Sequence, residues 1–147
     1  MNIIFDVDGT LMDIETRRKF LDETPPNWDK FMDPSEMQTD KPMEHVFNLA
    51  ACLYDSGHQI VVVSARNERH REVTESQLKT AGGEFWSHMF LRPDDSYEPD
   101  HEFKQRVLNE LIKADWKPDM IFDDRNSVVD MWRSNGIPCL QVAEGNF

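Results

Sequence analysis

The sequence predicts an α/β fold: a parallel sheet of about five strands with helices on both faces. Two short β-branched runs, 2–7 (NIIFDV) and 59–64 (QIVVVS), read as strands buried on both sides, because neither alternates polar with apolar residues. Turn-forming residues follow each run. Between these and three weaker strand candidates lie segments with apolar residues at helical spacing, and strands that alternate with helices indicate a parallel sheet covered on both faces.

After the first strand, 15–41 (ETRRKFLDETPPNWDKFMDPSEMQTDK) mixes Pro25, Pro26 and Pro34 with isolated aromatics and many charges. It is expected to form an irregular flap over the strand ends. A helix over 42–55 carries Val46, Leu49, Ala50 and Leu53 on one face, and a second helix, 67–81, follows the 59–64 strand. The weaker strands are 86–91 (WSHMFL), 119–123 (DMIFD) and 138–142 (PCLQV). Two more helices separate them: 100–114, with Phe103, Val107, Leu108 and Leu111, and 126–135. The segment 92–99 (RPDDSYEP) reads as a surface loop. The expected architecture is Rossmann-like, one domain over 1–147 with a small flap and no large cap. The space between the first two strands is too short for a separate folded lid.

Composition narrows the function. A chain of 147 residues is long enough to bury one core without staples. Its net charge of -12 argues against a broad nucleic-acid-binding face, which rests on many Lys and Arg against phosphates, but a few local arginines suffice for one phosphate. The acidity also suits a divalent cation, if carboxylates cluster. Met1 leads directly into an apolar strand, so neither a signal peptide nor a transmembrane helix is expected, and the expected location is cytoplasmic. Cys52 and Cys139 lie far apart without CxxC spacing, which fits reduced, buried thiols.

In parallel sheets ligands gather at the carboxyl ends of strands, beside the point where strand order reverses. Here those ends carry Asp6 and Asp8, Ser64, and Asp123 and Asp124. The stretch DVDGT does not suit a calcium loop, which needs three alternating acidic positions between two helices; a solvated turn stays open from this stretch alone. The functional alternative makes Asp6 a nucleophile and Asp8 an acid/base, since residues two apart on an extended chain point the same way. Two carboxylates about 4 Å apart repel by roughly 1–4 kcal/mol, depending on the effective dielectric. A hard cation such as magnesium offsets that.

Asp6-Val7-Asp8-Gly9-Thr10, Ser64 after IVVV, Lys104 in a helix, and FDDR at 122–125 resemble, in order and spacing, the four motifs of the haloacid dehalogenase superfamily of phosphotransferases. A closer similarity is to the 3'-phosphatase domain of phage polynucleotide kinase-phosphatase and its small stand-alone relatives. IFDVDGTL at 4–11, GHQIVVVSAR at 57–66, FDDRNSVVDMWRSNGIPCLQVAEGNF at 122–147, and Arg17 carry it. The chain departs from that domain at 24–38, and no GxxxxGK[ST] kinase sequence is present.

The resemblance implies a role for each residue. Asp6 would form an aspartyl-phosphate, and Asp8 would protonate the leaving oxygen and then activate water, with nearby carboxylates raising its pKa. Thr10, Ser64 and Ala65 would hold phosphoryl oxygens, and Lys104 would neutralise charge they share with Asp6. Alone, Ser64 would serve equally as a helix cap and Lys104 as part of a solvated helix face. Magnesium would be held by Asp6, Asp8, Asp123 and Asp124, with Asp124 the direct ligand and Asp123 water-mediated or arginine-paired; a helix N-cap is the plain alternative for one of the last two. Arg17 and Arg66 would grip a phosphate through their planar forks, against a default of surface arginines. Asp100 matches an acidic residue of the similar phosphatases, or is an N-cap; Trp28 would stack on a base, or pack in the flap.

The implied activity is magnesium-dependent hydrolysis of a phosphomonoester, with a 3'-phosphorylated nucleic-acid end or nucleotide favoured. A 5'-nucleotidase or general small-molecule phosphatase is the alternative, and a non-catalytic phosphate-binding module a further one. No membrane partner is expected.

Overall fold

The computed structural model describes residues 1–147. In chain order the elements are β1 (Asn2–Phe5), β2 (Met12–Asp13), α1 (Glu15–Arg18), α2 (Trp28–Phe31), α3 (Pro34–Met37), β3 (Lys41–Pro42) and α4 (Glu44–Asp55). They continue with β4 (Gln59–Asn67), α5 (Arg71–Gly82), β5 (His88–Arg92), α6 (Asp100–Lys113), β6 (Met120–Asp123), α7 (Asn126–Ser134) and β7 (Cys139–Gln141). Five strands form one sheet in the order β5-β4-β1-β6-β7. Every pairing in it is parallel. The chain steps outward from β1 to β4 and β5, then crosses back to β6 on the other side of β1. The strand order therefore reverses between β1 and β6, where a crevice opens at their carboxyl ends.

β1 shows why an unbroken apolar run is needed in this position. Ile3 and Phe5 pack on one face with Phe47 of α4, Leu78 of α5 and Phe85. Ile4 faces the other way, among Phe103, Val107 and Leu108 of α6 and Val129 and Trp132 of α7. Both faces are covered, so Ile3, Ile4 and Phe5 are each buried. Phe5 also stacks on Phe122 of the neighbouring strand, with ring centroids 4.5 Å apart.

The structure moves several boundaries. β4 runs to Asn67 rather than ending at 64, and its register against β5 shifts between Ser64 and Asn67. A 3-10 turn over Glu68–His70 then precedes α5, which begins at Arg71. In α4 the buried positions are Val46, Phe47 and Ala50, while Leu49 is 41% exposed. Phe47 takes the place expected for Leu49. Cys139 is buried and its thiol is pushed up to about 12 by that burial. Cys52, expected to be buried, is exposed, because it lies on the outer side of α4.

The 15–41 segment is more ordered than its composition suggests. Three one-turn helices, α1 to α3, stand between the two strands of an antiparallel pair, β2 and β3. Asn27 caps α2 by accepting from the Lys30 amide, and Asp33 caps α3 by accepting from the Ser35 amide. Ile14, Phe20 and Phe31 form a small apolar cluster beneath, flanked by Leu21 and Met32. This is a flap rather than a large cap. No helix is long and apolar enough to cross a membrane.

Candidate active site

The chain continues from β1 into a tight turn that sets the two acids in place. The Asp6 amide still pairs with the Phe122 carbonyl at 3.0 Å. Beyond it, the amides of Thr10, Leu11 and Met12 all donate to the Val7 carbonyl, at 3.2, 3.0 and 2.8 Å. Gly9 has φ of +82°, in the left-handed region that side chains disfavour. A Cβ there would stand 2.1 Å from Asp124 Oδ2, so the absence of a side chain lets the β1 and β6 loops meet.

Asp6 lies in an acid-rich centre. Lys104 Nζ, delivered from α6, donates to Asp6 Oδ1 and to Asp123 Oδ2, each at 2.7 Å. Asp123 accepts further from Trp132 Nε1 at 3.2 Å and from the Asp124 amide at 3.0 Å. Asp124 is different: its Oδ2 is buried without a hydrogen-bond partner. Oxygens of Asp6, Asp123 and Asp124 lie within 4.8 Å of one another. One ammonium thus faces three carboxylates. Burial pushes the Asp6 carboxyl well above its ordinary value, and Asp123 and Asp124 add to this while Lys104 opposes it. Burial, reinforced by Asp123, likewise lifts Asp124 to about 7. For Lys104 burial favours the neutral amine, but Asp123 and Asp6 outweigh it and hold the ammonium.

Asp8 lies in a balanced centre. Arg17 Nη2 donates to Asp8 Oδ1 at 2.8 Å, and Arg66 Nη2 to the same oxygen at 2.7 Å. Arg66 Nε lies 3.1 Å from both Asp8 oxygens. A second carboxylate, Asp40, accepts from Arg17 Nε and Nη2 at 2.8 Å each and from Arg66 Nη2 at 3.1 Å. The remaining donors of Arg66 go to Thr74 Oγ1 at 3.0 Å and Gln77 Oε1 at 2.7 Å. Arg17 Nη1 donates to the Phe31 carbonyl at 2.6 Å. Burial pushes the Asp8 carboxyl up, but Arg66 and then Arg17 outweigh it and hold the carboxyl at about 2.

These contacts differ from several expectations. A guanidinium carries five N–H groups, and Arg66, expected to grip phosphate, directs all of them to Asp8, Asp40, Thr74 and Gln77 here. Arg17 is fully buried and engaged through Nε, Nη1 and Nη2 with Asp40, the Phe31 carbonyl and Asp8. The Asp8 carboxyl is lowered, not raised, because arginines rather than carboxylates surround it. Asp8 also stands outside the group of three carboxylates that approach each other closely enough for a metal. The partner of Asp123 is Lys104, not an arginine, and Asp100 is no N-cap, since it pairs with Arg92 and Arg125.

The other anticipated residues line or underlie the same cleft. Thr10 is fully buried with its hydroxyl unpartnered. Ser64 is buried at the end of the sheet, its Oγ 3.3 Å from the Arg66 amide, and Ala65 is half-buried beside it. Trp28, 51% exposed, lines the cleft from the flap, with Arg92 and Arg125 among the other lining residues. Asp40, Thr74, Gln77 and Arg92 carry no local sequence pattern and were not anticipated, and Arg125, the last residue of FDDR, was given no role of its own.

Residues 1–147 match a family described as the polynucleotide kinase PNKP phosphatase domain. A chain in the structure of the Pnkp1/Rnl/Hen1 RNA repair complex superposes with a TM-score of 0.83 and 27% identity, covering 99% of this chain and 43% of that one. A class C acid phosphatase from Bacillus anthracis, solved with tungstate bound, shares the fold at 16% identity and a TM-score of 0.66, covering 98% of this chain and 66% of that one. Vegetative storage protein 1 of Arabidopsis thaliana is 29% identical over 116 residues, which are 75% of this chain and 42% of that protein. The chain thus spans less than half the length of the repair-complex chain and of the storage protein it matches. With the DVDGT turn, the buried lysine and the paired aspartates at one sheet reversal, the match over its full length makes this chain a member of the polynucleotide kinase PNKP phosphatase domain family, within the haloacid dehalogenase superfamily.

Proposed function

We propose that this domain is a magnesium-dependent phosphomonoester hydrolase that works through an aspartyl-phosphate on Asp6, and that its favoured substrate is a 3'-phosphate on a polynucleotide end or nucleotide. The observation that carries the reading is the charge deficit around Asp6: three buried carboxylates against one ammonium. Such a set is stable when a cation completes it. Asp6 and Asp124 would hold the magnesium ion, with Asp123 turned toward Lys104; the unpartnered Asp124 Oδ2 supports that division. When bound, the ion supplies the positive charge that keeps Asp6 ionised and draws a phosphoryl group toward it.

The chain's own residues supply the rest. Lys104 holds Asp6 by Oδ1 and leaves its other oxygen to attack phosphorus. The unpartnered Thr10 hydroxyl and Ser64 Oγ are donors for phosphoryl oxygens, and this role falls to them because Arg66 is fully engaged. Asp8, ionised at rest, is the base that takes a proton from the water cleaving the aspartyl-phosphate. In the preceding step the proton of the monoanionic phosphomonoester passes through Asp8 to the leaving oxygen, and the proton later taken from water is released to solvent.

Family membership and the likeness to a chain of an RNA repair complex support the 3'-end as substrate. Trp28, half-exposed at the cleft, is placed to stack on a base. The net charge of -12 restricts nucleic-acid contact to this local grip. The test compares rates on a 3'-phosphorylated oligonucleotide, a nucleoside 3'-monophosphate and a 5'-monophosphate, with magnesium and with EDTA. Highest turnover on a 3'-phosphate, lost with EDTA, is expected; a clear preference for the 5'-monophosphate would make the protein a 5'-nucleotidase instead.

A further inference from the structure

We infer that Asp40 is a positioning residue for the chemistry of the leaving group: it fixes Arg17 and Arg66 so that together they hold the Asp8 carboxyl in one orientation at the cleft. The inference rests on the acid/base role given to Asp8 under Proposed function. Asp40 does not touch the cleft centre, and its side chain is fully buried. It lies in the flap, between α3 and β3, whereas Asp8 and Arg66 belong to the ends of β1 and β4.

Its contacts are of a kind that sets direction. The Arg17 fork meets Asp40 in two parallel bonds of 2.8 Å, and the same Arg17 Nη2 continues to Asp8 Oδ1 at 2.8 Å. Arg66 Nη2 likewise spans from Asp40 Oδ2 at 3.1 Å to Asp8 Oδ1 at 2.7 Å. Two planar cations are thus pinned by Asp40 on one side and present Arg17 Nη2 and Arg66 Nε and Nη2 to Asp8 on the other. Two carboxylates and two guanidiniums also balance in charge. Without Asp40, two buried cations would share a single carboxylate, and the Arg17 fork would keep only the Phe31 carbonyl and ring as its partners in the flap.

The step this serves is the first displacement. As an Asp6 oxygen bonds to phosphorus and the bond from phosphorus to the leaving oxygen breaks, the electron pair of that bond stays on the leaving oxygen. That oxygen takes its proton from Asp8, which has received it from the monoanionic phosphoester. A poorly oriented Asp8 slows this for an alkoxide, which needs the proton, and much less for a nitrophenolate, which leaves without one.

The experiment measures kcat and KM of Asp40→Asn and Asp40→Glu in the full chain with magnesium. It uses p-nitrophenyl phosphate and an alkyl phosphomonoester, namely whichever of the 3'-phosphorylated oligonucleotide or nucleoside 5'-monophosphate the wild type turns over faster. The expected result is a fall in kcat at least ~10-fold larger on the alkyl substrate than on the aryl one, with KM altered less than ~2-fold. Equal losses on both substrates, or a change confined to KM, would overturn the inference in favour of a structural or phosphate-holding role. Asp40→Glu keeps the charge but shifts the carboxylate by one methylene, so the same ratio decides the matter if thermal melting shows Asp40→Asn unfolded. Asp8→Asn separates the two levels of the argument. If it shows the alkyl-selective loss and the Asp40 variants do not, only the role of Asp40 falls; if it shows no selectivity, the acid role of Asp8 falls and the role of Asp40 with it.

Discussion

Asp6 and Asp8 leave the same strand two residues apart, yet their surroundings are opposites. Around Asp6, one lysine answers three carboxylates, and burial pushes Asp6 and Asp124 up. Around Asp8, two arginines answer two carboxylates, and the acid is held at about 2. The first centre is incomplete in charge and needs something from outside; the second is self-contained. This division explains how a pair of like charges survives at the end of a buried strand. Each acid belongs to a different electrostatic unit, and only that of Asp6 is short of positive charge.

The difference is sharpest in activity. Asp6→Asn removes the nucleophile and should lower kcat by ~10^3-fold or more on every phosphomonoester, measured by phosphate release. Residual activity near the wild type's would break the assignment of Asp6 as the attacking group.

The same isosteric change should then have opposite effects on stability at the two sites, in protein without added metal. Asp8→Asn strips an anion from between two buried guanidiniums and should destabilise by roughly 3–5 kcal/mol. Asp6→Asn relieves repulsion in an acid-rich centre and leaves Lys104 paired with Asp123, so the melting temperature should hold or rise. Urea or thermal unfolding of the two variants checks this, and equal losses would show that the centres are not electrostatically distinct.

A smaller contrast appears with pH. The folded Asp8 carboxyl, near 2, lies below its unfolded value near 4, so its contribution is present above pH 4 and disappears as pH falls from 4 to 2. It amounts to roughly 2 kcal/mol. Asp124, lifted to about 7, behaves inversely: in metal-free protein its burial is harmless below pH 4 and costs stability as pH rises to 7 and beyond. Magnesium should remove that cost. Its addition should raise the melting temperature more at pH 8 than at pH 5, and a shift independent of pH would argue against binding at Asp124.

What could be read from the chain alone follows the same division. The sheet was legible because burial on both faces leaves an unbroken apolar run in β1 and β4, and the helices because α6 repeats Phe103, Val107, Leu108 and Leu111 at its own period. The acids at strand ends were legible because parallel topology brings the ends of β1, β4 and β6 together. The Asp8 surroundings were not. Asp40 sits in a charge-rich, proline-containing segment with no period, and its partners lie 23 and 26 residues away in sequence. Only the folding of the flap shows that this carboxylate, among many, faces two arginines. For the same reason Arg17 and Arg66 were identifiable as belonging to the site while their partners were not.

The turn at Gly9 has a consequence for the chain as an object of mutation. A single methyl group at that position would occupy the space of the Asp124 carboxylate. Position 9 is therefore a spacer of zero thickness: it sets the gauge between the loop that bears the nucleophile and the loop that completes the acid-rich centre. Widening that gauge would move the acids apart while every one of them remained in the chain, leaving all the ingredients of the site and none of its reach.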